Sequence, residues 1–281
     1  MLRYVKEQIA KMKRFRLIGV ALLAVFALGV AGASVAQAAE TAPYFTIGGT
    51  RLVLGKTHNL DARVYKENSF TLTNAGQGIE ITCKALGTED GVLLGSNAGS
   101  EGQDNEITVF SQCKLAKGNG APECELAVTA GGAATTVLKT NPTISEQVEN
   151  VVNSKGGKQL LEEFRPANPE IGFITLFFTG ANCTVKEAIV SGSTVAEVRL
   201  DNTGEGTIEL GQKPEEATSW LLRFPATAIT QVWLVSNGTG KLVKTGQISF
   251  GSASTQTGTS LVLLANTKFE PEPNALWSPL P

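Results

Sequence analysis

The sequence holds one histidine, His58, in 281 residues. One imidazole leaves no room for a His-rich metal site. Near the start of a strand, with no nucleophile or orienting group beside it in sequence, His58 reads as a surface or turn residue. There are four cysteines and no C-x-x-C pair, which excludes zinc-ribbon and thioredoxin-like readings. No G-x-S-x-G elbow occurs, and Gly55-Lys56-Thr57 lacks the upstream glycine of a phosphate-binding loop. Tyr and Trp number three each. Trp220 and Trp233 lie in apolar strand runs and read as core, and Trp277 reads as the one exposed ring. The sequence therefore assigns no catalytic residue, no cofactor and no metal. What is present is an apolar fraction of 42%, ample for a buried core.

The first 16 residues carry Arg3, Lys6, Lys11, Lys13, Arg14 and Arg16 against Glu7. The apolar run Leu17 to Val30 follows, then small residues ending in Ala36-Gln37-Ala38. This is the build of a secretory signal peptide, residues 1–38, cleaved after Ala38 and translated from Met1 or Met12. A retained anchor over 17–35 is the alternative. No later segment is apolar for long enough to span a bilayer. Without the leader the chain has 18 basic and 25 acidic residues, a net charge of −7. That sign excludes nucleic acid as a natural partner and argues against an anionic membrane surface.

An even number of cysteines in an exported chain predicts two disulfides among Cys83, Cys113, Cys124 and Cys183. Four cysteines allow three pairings. The midpoint between Cys113 and Cys124 falls at Gly118-Asn119, a sequence suited to a tight hairpin turn. A symmetric hairpin sets Cys113 opposite Cys124 and leaves Cys83 for Cys183, although Pro122 would have to face outward.

Residues 39–270 read as strands. The 29 threonines, with many Val and Ile, favour a pleated surface. Ile79, Ile81 and Cys83 alternate with polar neighbours and predict a half-buried strand. Cys124, Leu126 and Val128 repeat the scheme. Residues 171–179 are apolar on both faces and predict a central, doubly covered strand. Further strands are expected at 50–54, 59–65, 69–73, 106–113, 135–139, 147–152, 159–164, 184–190, 194–200, 206–210, 218–224, 229–235, 241–250 and 259–265. Residues 147–163 read as a hairpin, since Ser154-Lys155-Gly156-Gly157 breaks a helix. The acids Glu101, Asp104 and Glu106, with Asn105, and the pair Glu89 and Asp90, read as solvated loops. The expected fold is an all-β, antiparallel β-sandwich of one or two closely packed units, disulfide-stapled, with a sub-unit boundary near Pro142. A Pro-rich tail covers 271–281.

The order of Ile81-Thr82-Cys83-Lys84, Val109-Phe110-Ser111-Gln112-Cys113, Cys124 and Phe164-Arg165-Pro166 before Ile174…Cys183 resembles a group of secreted actinobacterial β proteins. That resemblance, over about residues 40–265, implies an exported disulfide-bearing β protein. It implies no activity and carries over no site residues. The functional expectation is a secreted or cell-surface, non-enzymatic structural or binding protein. Its partner is left open, with a cell-wall or extracellular polymer the class considered. The alternative is a secreted carbohydrate-active module that binds or cleaves glycans, whose mark would be exposed Trp or Tyr rows or two facing carboxylates.

Overall fold

A computed structural model describes residues 42–66, 68–97, 99–150, 159–200, 217–225, 233–236, 242–245, 248–250 and 252–280. The signal peptide expected at 1–38 and the strand expected at 206–210 lie outside the described residues. Thr41–Pro281 forms one compact unit. In chain order its strands are β1 (Tyr44–Ile47), β2 (Thr50–Arg51), β3 (Thr57–Val64), β4 (Phe70–Asn74), β5 (Ile79–Leu94), β6 (Gln103–Lys117), β7 (Glu125–Ala127), β8 (Leu138–Lys139), β9 (Thr143–Asn150) and β10 (Gln159–Pro166). They continue as β11 (Ile174–Thr179), β12 (Glu187–Gly192), β13 (Thr194–Leu200), β14 (Ser219–Phe224), β15 (Trp233–Ser236), β16 (Leu242–Thr245), β17 (Ile248–Phe250), β18 (Ser252–Ala265) and β19 (Trp277–Leu280). No helix occurs among the described residues.

The chain is all-β and antiparallel, but its main sheet is a barrel rather than the expected sandwich. Strands β3, β5, β6, β9, β10, β13, β14 and β18 neighbour one another in that order, and β18 pairs with both β14 and β3. Ser219–Phe224 meets Gly258–Leu263 residue for residue, so the sheet closes on itself and loses its free edges. Order around the barrel is order along the sequence, an up-and-down meander. Eight strands give an interior that side chains fill or that holds one small ligand.

Both ends are covered. At one end β1, paired with β2 and β19, brings Phe45 and Trp277 onto the barrel. Trp277 N–H and C=O both bond Ala217, and Trp220 Nε1 donates to Trp277 O at 2.9 Å. Trp277 is therefore 3% exposed, which corrects the expectation of an exposed ring, and residues 277–280 of the expected tail are a strand. At the other end the long strands β5, β6 and β18 run past the barrel. There β4 sits between β18 and β5, in line with β3, and β18 leads into a sheet of order β18-β17-β12-β11-β7.

Local patterns explain the elements. Ile79, Ile81 and Cys83 are buried in alternation, as the period of two requires. Residues 143–150 and 159–166 pair as the expected hairpin. Strand β11 lies between β7 and β12, yet its burial alternates: Leu176 and Phe178 are buried while Ile174 and Phe177 are half-buried. It is central but not equally covered on both faces. Val128 is 65% exposed and does not continue the buried face of Cys124 and Leu126.

Both disulfides are present, with a different pairing from the one expected. Cys83 joins Cys113 and Cys124 joins Cys183. Cys83 and Cys113 are opposed in the β5–β6 register. Cys113 N–H turns away to Thr136 O, which makes this a non-hydrogen-bonded site, where side chains come closest. The hairpin at Gly118-Asn119 does not form because Asn119 has a better partner. Its carboxamide bonds both the N–H and the C=O of Val185. Gly120, at φ 84°, lets the backbone approach Asn182, where a Cβ would lie 2.1 Å from the carbonyl oxygen. The loop thus docks on the segment carrying Cys183, and β7 pairs with β11 instead of β6.

Candidate ligand site inside the barrel

The interior wall of the barrel is polar on three adjacent strands. On β6 the inward side chains are Asp104, Glu106 and Thr108. On β9 they are Thr143, Ser145 and Gln147, and on β10 Glu162 lies between Leu160 and Phe164. Asp104 faces Ser145, Glu106 faces Thr143, and Glu162 faces Gln147 across the ladders. Asp104 and Glu162 are 5% exposed, and Ser145 and Gln147 are fully buried. Glu106 is half-buried by area. The opposite wall is apolar: Leu60, Trp220, Leu222 and Val262.

This corrects the reading of Glu101 to Glu106 as a solvated loop. Asp104 and Glu106 belong to a strand and point inward. Asn105 between them is exposed. Glu89 and Asp90 are exposed as expected, but they lie within β5, where Asp90 (φ 53°) sits at a register shift against β6.

Burial sets the electrostatics. Removal from water is the main force holding the Asp104 carboxyl well above the usual carboxylate range, and the adjacent Glu162 charge adds to it. Burial also raises Glu162, while hydrogen bonds from Asp104 and Ser145 pull it back. The two carboxyls are hydrogen-bonded to each other, Asp104 donating and Glu162 accepting. Burial, then the Asp104 charge, pushes Glu106 from 4.5 to about 8, against a hydrogen bond from Thr108 Oγ1 at 2.8 Å. Among the described residues no Lys, Arg or His forms an ion pair with any of the three.

Two cavities adjoin this wall. The smaller, of about 20 Å³, lies between the three carboxylates and the Phe45–Trp277 plug. Of its lining residues, Asp104 has Oδ1 and Trp277 has Nε1 buried without a partner, and elsewhere on the wall both amide atoms of Gln147 are unpaired. The larger, about 120 Å³, lies between the barrel and the sheet of β11 and β12. Its walls are mainly Phe70, Phe110, Phe164, Phe173, Leu176 and Phe224, with Glu106, Thr108, Thr140 and Thr143 on one side. Glu106, Phe164 and Leu222 border both cavities.

No protein-family model, curated protein or solved structure matches the chain.

Apart from Asp104 and Glu106, the residues singled out from sequence fall elsewhere. The four cysteines are structural and none is free. His58 is half-exposed on β3, with Nε2 3.8 Å from Glu272 and no nucleophile beside it. No group of three acids, histidines or cysteines among the described residues converges to hold a metal ion. Asp104, Glu106, Ser145, Gln147 and Glu162 were invisible as a site because period two reveals two faces but not which is inside. A usable signal existed in the Asp104, Glu106, Thr108 and Thr143, Ser145, Gln147 alternations, each flanked by half-apolar partners.

Proposed function

We propose that this is an exported, non-enzymatic binding protein that holds a small apolar molecule in the chamber between its barrel and the β11–β12 sheet. The single observation that carries the reading is that chamber: a concave space of about 120 Å³, phenylalanine-lined, with a few polar groups gathered on one wall. Such concave, mostly apolar spaces with convergent polar groups are where small ligands bind. Its size is near that of an engineered apolar cavity of about 150 Å³ that takes up benzene. Export fits the two disulfides, which persist in oxidising compartments, and the leader-like residues 1–38. The outward barrel faces carry charged pairs, Arg165 with Glu146 and Arg223 with Glu197, which suits water rather than lipid.

The carbohydrate alternative draws less support. Trp220 and Trp277 are buried in the barrel end. Asp104 and Glu162 are in hydrogen-bond contact, whereas glycosidase carboxylates stand roughly 5–9.5 Å apart.

Toluene near saturation is the test. It should raise the melting temperature of the full chain, as any ligand selective for the folded state does. Leu72→Trp, which places a ring in the chamber, should fold and lose that response. An unchanged melting temperature together with no heat of binding in the unaltered chain would remove the reading.

A further inference from the structure

The chamber alone accounts for an apolar ligand, but not for three carboxyl groups placed where leucines would pack. Burying a carboxylate without a cation costs several kcal/mol, and proteins ordinarily pair such groups. Here no protein cation reaches Asp104, Glu106 or Glu162 among the described residues. A second observation is independent of the acids. Gln147, fully buried and opposite Glu162 on the same wall, has neither amide atom paired, so its Oε1 lacks a donor. The polar wall is therefore incomplete as it stands. Glu106 occupies the joint between this wall and the apolar chamber. A metal ion does not fit, because the acids do not converge on one point.

We propose that the ligand is a small primary amine with an apolar body of about one ring. The body fills the phenylalanine-lined chamber and the ammonium docks on Glu106, with Asp104 and Glu162 behind it. This rests on the chamber being a binding site. An ammonium offers three donors and one positive charge on a compact head. Glu106 gives up its proton to solvent as the cation arrives, leaving an ion pair in the chamber wall. Charge-assisted bonds of this kind are about twice as strong as neutral ones. Asp104 and Glu162 line the small cavity behind Glu106.

The test compares three probes of one shape: benzylammonium, benzyl alcohol and toluene, titrated calorimetrically into the full chain at pH 7.5, with displacement of bound toluene marking the chamber. Benzylammonium should displace toluene and bind at least tenfold more tightly than either neutral probe. In Glu106→Gln, the preference for benzylammonium over toluene, each measured on that variant, should shrink to under threefold. Equal or tighter binding of benzyl alcohol or toluene in the unaltered chain overturns the amine proposal and leaves the apolar chamber standing. An ammonium preference that survives Glu106→Gln overturns the docking position. If no probe binds, both this proposal and the chamber reading fall.

Discussion

Glu106 shows what a single side chain does to the energetics of this fold. Its carboxyl binds a proton more tightly in the folded chain than in the unfolded one, at about 8 against 4.5. Between those values the folded state holds more protons, so stability falls as pH rises. The stabilisation is complete below about pH 4.5 and lost through pH 8, with a slope of at most about 1.4 kcal/mol per pH unit. Asp104 and Glu162 are shifted the same way and act in the same direction. Urea midpoints measured from pH 5 to 9 should therefore decline, and Glu106→Gln should flatten the decline and gain about 1–3 kcal/mol over the parent at pH 8. Equal slopes in the two chains would show that Glu106 is not held protonated. This residue also marks the limit of reading from sequence. In Asp104-Asn105-Glu106 polarity pointed every side chain to water. Burial alternates along these strands as period two demands, but a barrel interior took the polar face, and nothing local records that choice.

Elements were more legible than their partners. Alternation located the first part of β5, the β9–β10 hairpin and most barrel strands, because the pleat is a local property. Pairing is not local. Strand β7 finds β11 about fifty residues away because Asn119 secures the intervening loop on Val185. The cysteine pairing follows from that docking and was unreadable for the same reason. The two bridges should behave differently. On the chain-entropy model, separations of 30 and 59 residues give about 4 kcal/mol each. Cys83–Cys113, however, staples strands already joined by a long register, from Glu80–Lys117 to Leu94–Gln103. Cys124–Cys183 joins segments held by the short β7–β11 ladder and the Asn119 bonds. Cys124→Ala/Cys183→Ala should thus open the 118–124 loop to limited proteolysis in native buffer, whereas Cys83→Ala/Cys113→Ala should not. Cleavage of that loop in both variants, or in neither, would contradict this division.

At the scale of the whole molecule, the fold is a meander whose two ends must meet for the barrel to close and whose interior must then be sealed. The β14–β18 seam achieves the first. The second depends on the chain's distant ends: β1 and β19 pair across more than two hundred residues to set Phe45 and Trp277 over the barrel mouth. Their rings lie 6.1 Å apart, and Trp277 packs edge-on to Trp220 at 6.2 Å. Aromatic plugs of this kind contribute through buried area and ring geometry together. Ending the chain after Ala275 removes Trp277 and β19 while leaving every barrel strand intact. Water then reaches Trp220 and the Asp104–Glu162 pair from the plugged end. The truncated chain should keep its β circular dichroism, lose roughly 3–5 kcal/mol of stability, as loss of a buried Trp implies, and show red-shifted emission from a Trp220 newly in contact with solvent. Hydration should also weaken the grip on the buried protons, so the decline of stability between pH 5 and 8 should become shallower. Unchanged emission, assigned to Trp220 by comparison with Trp233→Phe in the same truncated background, would mean that β19 is not the seal. The interior would then be closed by the barrel's own side chains, and the carboxylate wall would owe its burial to the sheet alone.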